Sequence, residues 1–201
     1  MDVFDAINQR RSVKAYDPDH RMSDEEIEQL FTLAIQSPTS FNIQHWRFVL
    51  VRDPEIRKKI RAVGNDQAQM TDASLLVVMT ADMKAWEKSP ERYWANAPKE
   101  VADLLVNWMG PFHEGRDFLQ RDEANRSMGM AMQTLMLAAK GMGYDSCPMI
   151  GFDFDPVAEL INLPDDHVLG PMVAIGKGVK EPWPKPGQLP LSEVLIENRF
   201  A

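Results

Sequence analysis

Apolar and polar residues alternate along this chain with two different periods, and the changes of period mark its elements. Val3, Phe4 and Ile7 recur at helical spacing and predict a short helix over residues 2–10. Ser23-Asp24-Glu25-Glu26 has the form of a capping box, in which a serine hydroxyl and a glutamate carboxylate satisfy each other's backbone amides. Ile27, Leu30, Phe31, Ala34 and Ile35 follow as one stripe. That helix stops at Ser37-Pro38, because the residue before a proline is pushed out of the α region. Residues 37–46 are polar and irregular, and Arg47 to Val51 is rich in strand formers. Asp53 then caps, and Pro54 opens, a helix carrying Ile56, Ile60 and Val63, which Gly64-Asn65-Asp66 breaks.

Leu75-Leu76-Val77-Val78-Met79-Thr80 is short and apolar without interruption, the pattern of a strand buried on both faces. Residues 82–122 scatter Trp86, Tyr93, Trp94, Trp108, Phe112 and Phe118 among charges, with Val101, Leu104, Leu105 and Trp108 at helical spacing. The expectation there is helices joined by exposed turns, some of the aromatics meeting a ligand or partner. Residues 123–142 predict a long methionine-rich helix, apolar nearly all round, which must be buried on most faces within the core or between subunits. Core packing explains its methionines better than an adaptable groove does. Pro148 to Asp153 reads as a turn, Asp155-Pro156 opens another helix, and Pro171 to Gly176 is a further strand ending in Gly176-Lys177-Gly178. Pro182, Pro184, Pro186 and Pro190 favour an extended arm lying on a partner subunit, with Leu191 to Ile196 available as a terminal strand. Helices interleaved with few strands, without repeats or an internal linker, predict one three-layer α+β domain over residues 1–201, of which 180–201 is the arm.

Composition narrows the functions. A chain of 201 residues with 44% hydrophobic content can bury a sizeable core, and a net charge of -8 argues against nucleic acid or anionic membranes as partners. No apolar run is long enough to span a bilayer, and MDVFDAINQRRS lacks the apolar stretch of a signal peptide, so the expected compartment is the cytoplasm. Cys147 is the only cysteine and, in an apolar context before a proline, reads as a packed thiol. No glycine-rich dinucleotide or P-loop fingerprint, zinc spacing or nucleophile elbow is present; His20, His45, His113 and His167 are isolated and read as surface or structural residues. No metal site is expected, and any difficult chemistry falls to a cofactor. Against the acidic balance, Arg10-Arg11-Ser12-Val13-Lys14 gathers forked donors, a hydroxyl and a point charge, as a phosphate seat requires. The same arginines also complement the C-terminal end of the first helix without any ligand.

Four tracts, Arg-Arg-Ser-x-Lys, Ser-Pro-Thr-Ser-x-Asn-x-Gln-x-Trp, Pro-Met-Ile-Gly-Phe-Asp and the terminal Gly-Lys-Gly, together resemble the FMN-dependent nitroreductase family in order and separation from about Phe4 to Phe200. The resemblance implies a mostly antiparallel central sheet flanked by helices, with C-terminal arms exchanged in a homodimer that holds FMN at the subunit interface. It implies that Arg10, Arg11 and Ser12 hold the FMN phosphate, with Lys177 and Gly178 closing on it. Lys14 approaches the N1/C2=O edge of the ring, where a cation raises the reduction potential. Pro38, Thr39, Ser40, Asn42 and Gln44 come largely from the other subunit to line the ring and ribityl chain. Pro148, Ile150 and Gly151 sit on the N5 side, and Gln69 reaches the pyrimidine edge. The implied activity passes hydride from NADH or NADPH through flavin N5 to nitroaromatic, quinone or similar acceptors by a ping-pong mechanism, with no catalytic side chain.

The chain departs from the family pattern at His45, where a proline before Trp46 is expected, and around Asn65-Asp66. In the tail, Gln188 or Lys185 stands where relatives carry a phosphate-binding cation. A second reading is a flavin-binding or flavin-modifying member of the superfamily without the reductase role. A third is a non-enzymatic dimeric interaction protein whose exposed tryptophans mark a partner surface.

Overall fold

The computed structural model describes residues 1–200. In chain order the main elements are α1 (Val3–Gln9), α2 (Asp24–Ala34), β1 (Trp46–Leu50), α3 (Pro54–Ala62), the single turn α4 (Gln69–Asp72) and β2 (Leu75–Asp82). α5 (Lys99–His113), α6 (Asp117–Gly141), β3 (Asp145–Met149), α7 (Phe154–Leu160), β4 (His167–Gly176) and the turn-length α8 (Leu191–Val194) follow. Short polar side chains start several helices as the sequence requires. Ser23 Oγ accepts from the Glu26 amide at 3.2 Å while Glu26 Oε2 accepts from the Ser23 amide at 2.8 Å, and Asp53 accepts from the Glu55 and Ile56 amides behind Pro54.

The four strands pair antiparallel in the order β1-β2-β4-β3, and a parallel bridge between Ser12 and Ser146 adds the N-terminal tract to the β3 edge. β2 is buried along its whole length because it faces a core on each side. Leu75, Val77, Met79 and Ala81 point into a core roofed by Leu30 and Ala34 of α2 and Ala131 and Leu135 of α6. Leu76 and Val78 point the other way, toward Ile60 of α3, Met70 of α4 and Val157 of α7. β4 divides in the same way, Val173 and Ile175 against Met172 and Ala174. Each fully buried Leu or Ile side chain in these layers contributes roughly 1.5–3 kcal/mol through removal from water.

The pattern misleads at identifiable places. Residues 145–149, just ahead of and into the tract read as a turn, form β3, and Pro148 sits opposite Val173. Proline is tolerated there because β3 is an edge of the four-stranded sheet, where a missing donor costs little. α6 starts at Asp117 rather than near residue 123, and Gln120 Nε2 donates to the His113 carbonyl at 2.7 Å, fastening it to the end of α5. Within one protomer the same helix is buried along one side, and Asn125, Arg126, Gly129, Met130 and Gln133 leave the other open. Residues 191–196 hold the helical turn α8 instead of a strand, since the arm pairs with no sheet edge. Among the described residues no helix is long and apolar enough to cross a membrane.

Candidate functional site

The basic tract is fixed by backbone hydrogen bonds on both sides. The Val13 amide donates to the Ser146 carbonyl at 3.1 Å, the Asp17 amide to Lys177 at 2.9 Å, and the Val179 amide to Ala15 at 3.0 Å. Residues 12–17 therefore thread between β3 and the segment that leaves β4, which brings Ser12, Lys177 and Gly178 onto the same backbone seam. Tyr16 is buried in this seam; burial first, with Cys147 and Asp145 nearby, pushes its hydroxyl far above the usual tyrosine range. Gly178 permits the close approach, because a Cβ there would lie 2.5 Å from Asp145 Oδ2 and 3.2 Å from Val13 Cγ1.

Arg10, Arg11, Ser12 and Lys14 line a cavity of about 440 Å³ together with Trp183 and Lys185 of the arm. Arg11 Nη1 donates to the Asn8 and Arg10 carbonyls at 2.6 and 2.9 Å, closing the last turn of α1. Lys14 Nζ lies 5.7 Å from the Trp183 ring centroid. Among the described residues Arg10, Arg11 and Lys14 form no ion pair, although Glu181 shares the cavity wall. Lys177 contributes its carbonyl to the seam, whereas its charge acts on Glu26, whose carboxyl is lowered mainly by the Tyr144 and Ser23 hydrogen bonds. Cys147, beside the tract, has its thiol pushed up by burial against the opposing charges of Lys14 and Arg10.

A second group forms at the end of β3. Asn65 Nδ2 and Gln67 Nε2 each donate to the Gly151 carbonyl at 3.0 Å, and the buried Gln69 donates through Nε2 to Gln67 Oε1 at 3.0 Å. Gln69 is thus joined to the Pro148–Ile150–Gly151 turn, and Ile150 is exposed beside it. Asp66 is held by Arg61 Nε at 2.6 Å.

The third group, residues 38–44, is a strained loop. Phe41, Asn42 and Gln44 have φ of 50°, 55° and 54°, in the left-handed region. Thr39 Oγ1 accepts from the Gln44 amide at 3.0 Å, and Asn42 Nδ2 donates to the Tyr93 carbonyl at 2.8 Å. Ile43 anchors the loop in a small core with Ala85, Tyr93 and Met109. His45, in place of the expected proline, is fully buried and pairs through Nδ1 with Ser127 Oγ at 3.0 Å. The loop leaves α6 near Thr134, bonded to Ser37 at 2.7 Å, and rejoins it at Ser127, whereas the basic tract borders Lys140. Lys140 is separated from Thr134 by about 9 Å of helix and from Ser127 by about 20 Å. None of Pro38, Thr39, Ser40, Asn42 and Gln44 lines the cavity of the basic tract within one protomer.

A sequence profile of the nitroreductase family matches residues 7–177. The chain belongs to the nitroreductase family. It is 60% identical over 200 residues to Protein DrgA of Synechocystis sp., covering 97% of this chain and 95% of that one. It is 32% identical over 197 residues to YodC of Bacillus subtilis, provisionally named an NAD(P)H nitroreductase, covering 96% of each chain. Among solved structures it resembles a protein of Exiguobacterium sibiricum, described provisionally as a nitroreductase in complex with FMN. The TM-score is 0.90 at 27% identity, covering 98% of this chain and 97% of that one.

The nitroreductase-like cradle fits an FMN phosphate on its own chemistry. Its cations form no ion pair among the described residues, and the Ser146 hydroxyl beside Ser12 is buried without a hydrogen-bond partner. Sequence reasoning missed Trp183 and the Asn65 and Gln67 amides that fix Gly151. A tryptophan inside a proline-rich arm, and paired amides after a helix-breaking glycine, were the available signals.

Proposed function

We propose that this nitroreductase-family chain is an FMN-dependent oxidoreductase that takes reducing equivalents from NADH or NADPH and delivers them to nitroaromatic, quinone or related acceptors. The observation that carries this reading is the gathering of Arg10, Arg11, Ser12 and Lys14, none of them in an ion pair, at one cavity, with Gly178 bridged to the same tract through Tyr16, in a chain similar to an FMN-bound structure. Arg10, Arg11 and Ser12 bind the phosphate by charge-assisted hydrogen bonds, and Lys177 and Gly178 close the backbone over it. Lys14 presents its ammonium to the N1/C2=O edge. Gln69 meets the pyrimidine edge, and Pro148, Ile150 and Gly151 form a rigid wall at the N5 side, braced by Asn65 and Gln67. FMN supplies two-electron redox chemistry when bound, so no side-chain base is required; the protein's part is to orient it and exclude water.

We place the complete site at the interface of a homodimer. A compact 22.9 kDa monomer exposes about 9,600 Å², whereas this protomer exposes 12019 Å². The excess is concentrated in apolar surface: Phe4 is 74% exposed, Trp183 85% and Phe200 83%, and the open side of α6 carries Met130. A soluble monomer rarely shows so much. Exchange of the arms and pairing of the α6 faces covers this surface and brings the 38–44 loop of one copy to the cradle of the other. Anaerobic addition of NADH or NADPH to the purified protein tests the activity: bleaching of a flavin spectrum, restored by a quinone, is the expected result. A colourless protein that takes up no FMN contradicts it.

A further inference from the structure

A second cavity, of about 690 Å³, opens between the N-terminal ends of α2 and α3 and shares no lining residue with the cradle. Arg21, Arg52, Arg57 and Lys58 line it, against a single carboxylate, Asp24. That carboxylate is already engaged by Arg52 at 2.8 Å, and Lys58 is paired with Glu55 at 2.7 Å. Among the described residues, Arg21 and Arg57 have no carboxylate partner. Arg57 is only 8% exposed. Its Nε donates to the Val51 carbonyl at 2.9 Å, Nη1 to Ala73 at 2.8 Å and more weakly to Thr71, and Nη2 to Ser74 at 3.2 Å. Those bonds staple α3 to the ends of β1 and β2 and leave an Nη2 N–H without a protein acceptor. Carbonyl dipoles satisfy the hydrogen bonds but do not neutralise the ion, and a buried charge without a counterion costs several kcal/mol. Burial, with the Arg21 charge added, lowers the Arg57 pKa to about 10.

We propose that this cleft is a binding site for a small diphosphate-bearing anion, held by the guanidinium groups of Arg21 and Arg57 and separate from the cofactor cradle. The exposed Arg21 guanidinium and the one unclaimed Nη2 N–H of Arg57 can donate to different phosphate oxygens, and the cavity is larger than one phosphate needs. The chain's acidic balance makes such a cationic cleft a local construction rather than part of a basic surface. The proposal does not depend on the redox reading.

Inorganic pyrophosphate, titrated calorimetrically at constant ionic strength into full-length protein saturated with FMN, is the test. Saturable binding is expected, weakened at least tenfold by Arg21→Gln and by Arg21→Glu but retained by Arg11→Ala. Arg21 is exposed and bonds only to the Pro18 and His20 carbonyls, so these variants should melt near the wild-type temperature. Absence of saturable binding, an equal response to sulfate, or loss of binding in Arg11→Ala with retention in Arg21→Gln each overturns the proposal. The last pattern assigns pyrophosphate to the cradle.

Discussion

The amide of Asp17 donates to the carbonyl of Lys177 at 2.9 Å, joining the segment after the first helix to the segment after the last core strand. Through this bond and its neighbours, the arm that carries Trp183 and Lys185 is brought against Arg10, Arg11 and Lys14. Arg11→Ala removes one forked cation from that wall. A charge-assisted hydrogen bond contributes about 1.5–3 kcal/mol, so FMN affinity should fall roughly 10- to 100-fold. Fluorescence titration measures the loss, and an unchanged far-ultraviolet circular dichroism spectrum shows that the fold survives.

Lys14 tests a different property of the site. Lys14→Gln keeps a donor and removes the charge facing the flavin, so the bound flavin should become harder to reduce. The midpoint potential should drop by on the order of 30 mV, equivalent to about 1.4 kcal/mol for two electrons. Dye-equilibrated reductive titration reads it; a potential equal to wild type means that Lys14 does not approach the N1 edge.

Acid should weaken the support of the 38–44 loop. Burial, with His113 nearby, depresses the His45 pKa to about 4 from 6.5. The unfolded chain therefore takes a proton below pH 6.5 that the folded chain refuses until about pH 4. The stabilisation is fully present above pH 6.5 and is lost as pH falls toward 4, amounting to about 3 kcal/mol. Urea unfolding across this window should show the decline, and His45→Gln should flatten it.

Two glycines separate close packing from open surface. A Cβ on Gly176 would lie 2.9 Å from the Ser74 amide nitrogen and 3.1 Å from Tyr16 Cδ1, whereas one on Gly187 meets nothing within 4 Å. Gly176→Ala should cost about 1–3 kcal/mol by overpacking, and Gly187→Ala close to zero. Equal urea midpoints for the two variants would show that the Tyr16–Gly178 seam is looser than described.

Patterns that act within a few residues were legible in the sequence. The Ser23–Glu26 box, Asp53-Pro54 and the uninterrupted apolar run of β2 each state a local rule that the fold obeys. β3 was hidden because Pro148 argues against a strand unless it is known to lie at an edge, and edge position is a property of the whole sheet. The sequence left open whether α6 is buried in the core or between subunits, because methionine and glycine look alike in either setting. The proposed site residues rest on residue types at family spacing. Spacing could not show that Lys177 contributes its carbonyl while its charge acts on Glu26, nor that Trp183 packs near Lys14.

The central claim is that each cofactor site is completed by two copies of the chain, and mixing two damaged subunits tests it most directly. Arg11→Ala disables the cradle, and Ser40→Leu obstructs the loop. After co-refolding, each mixed dimer should contain one site with both lesions and one wholly wild-type site. With FMN kept well below the weakened affinity of Arg11→Ala, FMN binding and NAD(P)H-driven quinone reduction should therefore reappear in the mixture while both parent homodimers stay largely empty and inactive. If the mixture recovers nothing although mixed dimers are isolated, cradle and loop serve the same subunit, and the interfacial site is contradicted.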